Sequence, residues 1–100
     1  MEIDQLSSQE SIRYKRQIVI PAFGEKGQKQ LKGASIFIAG LGGLGAVSAY
    51  YLAAAGVGRL KIVDKDHVEL ENLNRQILYS TRDVGRTKTE SAFEKLHALN

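Results

Sequence analysis

Four glycines in six residues, Gly40-Leu-Gly42-Gly43-Leu-Gly45, constrain the fold of this chain more than any other feature. They lie inside a stretch, Gly33 to Gly58, that carries no charged residue. Such a stretch is long enough to span a bilayer. A spanning helix, however, needs continuous backbone hydrogen bonding at its centre, where these glycines fall. A strand, a tight turn and a buried helix account for the stretch better, and no membrane partner is expected. Ser35–Ala39, SIFIA, is a short apolar run bounded by glycine and reads as a buried strand. Leu44–Ala55 is rich in Ala and Leu, apolar almost all round, and reads as a buried helix. Gly56 and Gly58 follow where a helix C-terminus takes glycine. Leu60–Val63 reads as a second buried strand. Strand, helix and strand joined by short turns make a βαβ unit with parallel strands and a right-handed crossover.

In that context the glycines match G-x-G-x-x-G, between a predicted strand and a predicted helix. Glycine permits the tight turn and a close approach of backbone to ligand. The helix N-terminus then offers unpaired N–H groups and the positive end of its dipole to an anion. Asp64 comes 19 residues after Gly45, at the end of the second strand, where a carboxylate can accept hydrogen bonds from ribose hydroxyls. On these residues alone a nucleotide site is the leading reading. A dinucleotide-dependent oxidoreductase fits them, and so does a packing turn without a ligand.

Around this unit, Ser7 and Glu10 form an S-x-x-E capping box that starts a short amphipathic helix over residues 7–18. Pro21 ends it. Residues 24–32 read as a second short helix with Lys26, Lys29 and Lys32 on a solvated face. Residues 66–80 read as a loop with a short helical turn, and Thr87-x-x-Glu90 as the start of a helix running to about Leu99. The expected organisation is an N-terminal helical segment, residues 1–34, followed by a Rossmann-like α/β unit, residues 35–100. The fold class is α/β, with two short helices ahead of the βαβ unit and the rest of the sheet missing.

Composition removes several function classes. There is no cysteine, which excludes a disulfide scaffold, a thiolate zinc site and a cysteine nucleophile within these residues. The net charge of +3 is spread along the chain rather than gathered in a stripe, so no nucleic-acid partner is expected. The polar N-terminus has no apolar signal segment, and a cytoplasmic location is the expectation.

The residues after Asp64 decide between redox chemistry and phosphoryl chemistry. They run Asp64-Lys-Asp66-His-Val-Glu-Leu-Glu-Asn72-Leu-Asn-Arg75-Gln76, then Asp83-Val-Gly85-Arg-Thr-Lys88. Hydride transfer has little use for Arg75 and Lys88 near a phosphate turn, whereas a triphosphate does. Attack on an α-phosphorus brings negative groups together, and preorganised cations offset that charge in the transition state. Each residue has a plainer reading. Arg16 and Arg75 could be surface ion-pair partners, Lys88 a solvated first-turn residue and Asp66 a turn residue. A cation in the first turn of a helix opposes the dipole, which favours a bound anion beside Lys88.

Several blocks in order and at matching spacing resemble the ThiF/MoeB/HesA family, which includes the ubiquitin-activating enzymes. They are Arg13-Tyr-Lys-Arg16-Gln17, Gly27-Gln28, Gly40–Gly45, Tyr51-Leu…Ala55-Gly56-Val57-Gly58, Asp64-x-Asp66, Asn72-Leu-x-Arg75-Gln76 and Asp83-Val-Gly85…Lys88. The resemblance implies an adenylyltransferase. It would use ATP with magnesium to adenylate the C-terminal glycine of a ubiquitin-like carrier, such as ThiS or MoaD, and release pyrophosphate. It places Asp64 on the ribose, Asn72, Arg75 and Lys88 on the phosphates, and Arg16 across a homodimer interface. Asp66 and the glycines Gly40, Gly42, Gly43 and Gly45 complete the expected nucleotide site. The family's later aspartate associated with magnesium, its zinc-binding cysteine pairs and most of its carrier surface have no counterpart among these residues. A non-catalytic nucleotide-binding or interaction fragment is the other expectation.

Overall fold

The computed structural model describes residues 5–100. Residues 1–4, which open the expected N-terminal segment, lie outside the described residues. The elements follow in the order α1 (Ser8–Arg13), α2 (Lys15–Ile18), α3 (Gly24–Gly33), β1 (Ser35–Ala39), α4 (Gly43–Ala55), β2 (Arg59–Val63) and α5 (Lys88–Leu99). Two short 3₁₀ turns, Leu70–Asn72 and Thr81–Asp83, lie between β2 and α5. The two strands are parallel neighbours, with Ser35 opposite Arg59 and Ala39 opposite Val63. With α4 joining them, the class is α/β and Rossmann-like, as the residue pattern predicts.

The single helix expected over 7–18 is two. Tyr14 leaves helical geometry at φ −101°, ψ 15°, closing α1 and opening α2. The break lets its ring turn inward, where it is 6% exposed and its hydroxyl accepts a 2.7 Å hydrogen bond from Asn100 Nδ2. The capping box forms as expected: Ser7 Oγ accepts from Glu10 N–H, and Glu10 Oε1 accepts from Ser7 N–H. Lys32 does not belong to a solvated face. Its ammonium bonds Glu10 Oε1 at 2.8 Å and the Gln5 carbonyl at 2.6 Å, tying α3 to α1 and the segment before it.

Both strands are buried on one face only, with alternate residues exposed. Ile38, Leu60 and Ile62 pack on the core, whereas Phe37 and Val63 are exposed. The expectation of fully buried strands is corrected by layer count. Helices α4 and α5 pack against each other over a shared core, and the second face has no comparable cover among the described residues. That core joins Ala46, Ala49 and Ala53 of α4 to Ala92 and Leu96 of α5, with Leu41, Val68, Leu78 and Tyr79 filling in from the loops. The alanines of α4 present so little side chain that α5 and the 64–87 loop can approach its backbone closely.

The N-terminal helices are fastened to this unit at the end of α4. The Ala55 carbonyl accepts from Gln17 Nε2 at 3.0 Å and Gln28 Nε2 at 2.9 Å, and Gln28 is fully buried. These amides satisfy a carbonyl that the last turn of a helix leaves open. Gly56 follows at φ +102°, and a side chain there would collide with Gln28 and Tyr14.

The 64–87 loop is closed by its own ladder. His67 bridges Thr87 antiparallel, Val68 N–H donates to Arg86 O, and Gly85 N–H donates to Val68 O. Asp83 anchors the loop from within. Its fully buried carboxylate accepts from Lys95 Nζ at 2.9 Å, Ser80 N–H at 2.8 Å and Ser80 Oγ at 2.9 Å, and pairs with Arg86 at 3.2 Å. Burial by itself would raise its pKa. The hydrogen bond and charge of Lys95, with the two bonds from Ser80, outweigh that and hold the carboxyl well below its ordinary range.

Asp83→Asn should therefore destabilise the protein by about 3 kcal/mol at neutral pH, the scale for breaking one partner of a buried ion pair. A depressed pKa stabilises the native form above the ordinary carboxylate value of 3.8 and loses that effect as pH falls below it. The melting temperatures of wild type and variant should thus begin to converge only below about pH 5 and go on converging well below about pH 3, as thermal denaturation at stepped pH would show.

Candidate nucleotide site

The glycine turn is the junction of β1 and α4, and each glycine in it has a different reason. Gly40 continues the ladder, donating to Val63 O at 2.8 Å, then turns at φ +99°, a conformation that costs other residues. A Cβ on Gly45 would run into the Gly40 carbonyl, so Gly45 lets α4 start against the strand end. Gly42 and Gly43 differ: a Cβ on either would meet nothing within 4 Å. No steric conflict inside the chain requires glycine there, and the open space lies on the side where a ligand would approach the backbone. No side chain caps α4, and its first turn carries no acidic residue. Its leading N–H groups are left for an anion.

Asp64, at the end of β2, reaches across to this turn. Its Oδ2 accepts from Leu41 N–H at 2.6 Å and its Oδ1 from Asp66 N–H at 2.7 Å. The carboxylate thus spans the glycine turn and the following loop, a role that spacing alone does not reveal. Its oxygens keep further acceptor capacity for hydroxyl groups. Asp66 contributes through its backbone: its carbonyl accepts from Lys88 N–H at 3.0 Å. A short path of hydrogen bonds therefore runs from the glycine turn through Asp64 and Asp66 to the first residue of α5.

Lys88 is that first residue. It is only 6% exposed and takes part in no ion pair among the described residues. The solvated reading of Lys88 is thereby corrected, since the closed loop and α5 cover its stem. A lysine whose stem is buried and whose ammonium has no carboxylate partner among the described residues, in the first turn of a helix, leaves its charge free to meet an anion. Asn72 is also buried, at 9% exposed, and its Oδ1 accepts from Glu69 N–H at 2.9 Å.

Arg75 and Arg16 are not drawn to this centre. Arg75 is exposed and its guanidinium folds onto its own loop, donating to Glu71 O at 3.2 Å and Asn74 Oδ1 at 3.1 Å. Arg16 is exposed on α2 and forms no ion pair among the described residues. The residue that sequence reasoning missed is Tyr79. It is 5% exposed and donates a 2.7 Å hydrogen bond to the Leu41 carbonyl. Burial, then the nearby charges of Asp64 and Asp83, push its pKa well above the ordinary tyrosine value, so it is a proton donor at any physiological pH. Its only signal in the chain was an aromatic residue in an otherwise polar loop.

Among the described residues no three His, Asp or Glu side chains gather to hold a metal ion. No helix is long and apolar enough to cross a membrane. The uncharged 33–58 stretch is a strand, a turn and a 13-residue helix.

A parallel βαβ unit, an open glycine turn at a helix N-terminus and a strand-end aspartate facing it define a Rossmann-like unit. The chain belongs to the ThiF family, whose model matches residues 14–100. It is 49% identical over 94 residues to a sulfur carrier protein adenylyltransferase of Thermus thermophilus, covering 94% of this chain and 35% of that protein. It is 50% identical over 95 residues to the adenylyltransferase and sulfurtransferase uba4 of Emericella nidulans, covering 95% of this chain and 20% of that protein. Among solved structures it resembles the E. coli tRNA N6-threonylcarbamoyladenosine dehydratase TcdA in complex with ATP. There the TM-score is 0.86 and the identity 32%, over 94% of this chain and 38% of that one. The chain thus spans about a fifth to a third of the curated relatives it matches.

Asp64→Asn offers one acceptor oxygen where two N–H groups now need one each. It should weaken ATP binding by about 1.5–3 kcal/mol, the scale of a hydrogen bond to a charged group. It should also lower the melting temperature, because the turn loses an anchor. Calorimetric titration alongside thermal melting would separate the two effects.

Proposed function

We propose that this chain forms the ATP-binding part of an adenylyltransferase that activates the C-terminal glycine of a ubiquitin-like sulfur-carrier protein. The observation that carries the reading is Lys88, a cation on a buried stem without a carboxylate partner among the described residues, tied through Asp66 and Asp64 to a glycine turn with open space beside Gly42 and Gly43. A triphosphate supplies the missing negative charge. The names of the relatives, and the solved TcdA complex with ATP, support the same ligand class.

In this reading the triphosphate lies over the Gly40–Gly45 turn, with the ribose hydroxyls toward Asp64. A carboxylate oxygen of the carrier's terminal glycine attacks the α-phosphorus. A new O–P bond forms, the bond to the bridging oxygen of the β-phosphate breaks, and pyrophosphate leaves with the electron pair. Lys88 and the N–H groups at the start of α4 neutralise charge on the phosphates as it builds. Asn72 contributes its amide to the same phosphates. Arg75 would join after swinging from its carbonyl and amide partners, both solvent-facing and cheap to exchange. In this reading Arg16, exposed on α2, serves the site of a second copy in a homodimer. Magnesium bound with the ATP would supply further positive charge to the phosphates; no three His, Asp or Glu side chains among the described residues gather to hold it.

Two measurements test this in the protein carrying the chain. ATP with magnesium should raise the melting temperature more than NAD at equal concentration, because only a ligand of the native state stabilises it. A larger shift with NAD would return the oxidoreductase reading. Lys88→Ala should lower carrier-dependent pyrophosphate exchange about a hundredfold while changing ATP affinity far less, the pattern of an interaction made mainly in the transition state.

A further inference from the structure

We infer that Tyr79 is a positioning residue that locks the Leu41–Gly42 peptide plane, so that the Gly42 N–H faces the nucleotide phosphates. The inference rests on the reading of the glycine turn as an ATP site. It begins with the two peptide units on either side of Leu41. All peptide bonds described are trans, so the C=O and N–H of each unit point in opposite directions.

In the Gly40–Leu41 unit the N–H points to Asp64, at 2.6 Å. In the Leu41–Gly42 unit the C=O points to the buried hydroxyl of Tyr79, at 2.7 Å. The opposite end of that unit, the Gly42 N–H, must therefore point away from Tyr79 and the core. It donates to no acceptor among the described residues, and the space around the Gly42 Cα is open. The Leu41 side chain is fully buried between the two anchors and fixes the pivot.

Without the hydroxyl this arrangement has a competitor. Rotating the Leu41–Gly42 peptide by half a turn changes ψ of Leu41 and φ of Gly42, and glycine accepts either sign of φ. The flipped turn would present the Leu41 carbonyl oxygen to the phosphates in place of an N–H, replacing attraction by repulsion. Among the described residues only the Tyr79 hydroxyl donates to that carbonyl, and a buried carbonyl left without a partner is unfavourable. The tyrosine hydroxyl thus acts on the nucleotide through the backbone and touches neither ATP nor the carrier.

The test compares ATP with adenosine, which fills the same base and ribose positions and lacks phosphates. Tyr79→Phe keeps the ring and its packing. Calorimetric titration of the protein carrying this chain should show ATP affinity reduced roughly 5- to 15-fold, the scale of one lost hydrogen bond, with adenosine affinity within about twofold of wild type. The KM for ATP in pyrophosphate exchange should rise by a similar factor. Equal losses for ATP and adenosine would assign Tyr79 to general support of the loop and overturn the inference, as would unchanged ATP affinity. A wild-type protein that binds adenosine no worse than ATP would instead sink the ATP reading itself. One further measurement needs no variant: the Gly42 amide proton of the wild type should move downfield when ATP is added. A Gly42 amide that does not respond to a bound triphosphate overturns the inference whatever Tyr79→Phe does.

Discussion

The structure around the candidate site depends on one carboxylate with two backbone donors. Asp64 takes Leu41 N–H on one oxygen and Asp66 N–H on the other. The first bond ties the end of β2 to the turn leaving β1, so the parallel pair and the turn become one rigid body. The second sets the direction in which the chain leaves β2. From there the Asp66 carbonyl receives the N–H of Lys88, and α5 begins beside the turn rather than elsewhere on the surface. Hydrogen bonds to a charged acceptor are stronger than neutral ones, so a single side chain can organise three segments far apart in sequence.

Electrostatics at the two ends of the 64–87 loop are arranged in opposite ways. At the Asp83 end a fully buried carboxylate is saturated by Lys95, Arg86 and Ser80, and the site needs nothing more. At the Lys88 end a cation on a buried stem sits in the first turn of a helix and forms no ion pair among the described residues. The first is how a fold stabilises a loop; the second is how a fold leaves room for an anionic ligand. Lys95 and Lys88 both sit on α5, so the saturated end fixes the helix that carries the unsaturated one.

The N-terminal helices reach the nucleotide unit by capping. Gln17 and Gln28 converge on the Ala55 carbonyl, Arg13 donates to Leu99 O, and Asn100 bonds both Tyr14 and Ala53 O. The carbonyls of Ala53, Ala55 and Leu99 lie in the last turns of α4 and α5, where i+4 helical donors run out. The opposite ends of the same helices face the candidate site. One end of the helix layer thus serves assembly, and the other keeps its N–H groups available.

Much of this was legible in the residue order. The parallel strands, the glycine turn, helices α4 and α5 and the Ser7–Glu10 box all follow from local patterns: apolar runs, glycine where a turn needs it, capping residues at fixed offsets. Asp64 was legible as a strand-end carboxylate because its spacing from the turn is a property of one βαβ unit. The break at Tyr14 was not, since the Tyr14 ring is buried against distant residues and its hydroxyl meets Asn100, and nothing within 7–18 records that. Nor was the half-buried state of the strands, because identical apolar runs arise whether one face or two are covered. The burial of Lys88, the outward fold of Arg75 and the hydroxyl of Tyr79 under Leu41 each depend on contacts between residues many positions apart. Sequence by itself determined which backbone conformations were allowed and where an anion could be met. Only the tertiary structure decided which side chains hold that backbone in place, because a hydrogen bond across the fold leaves no periodicity in the chain.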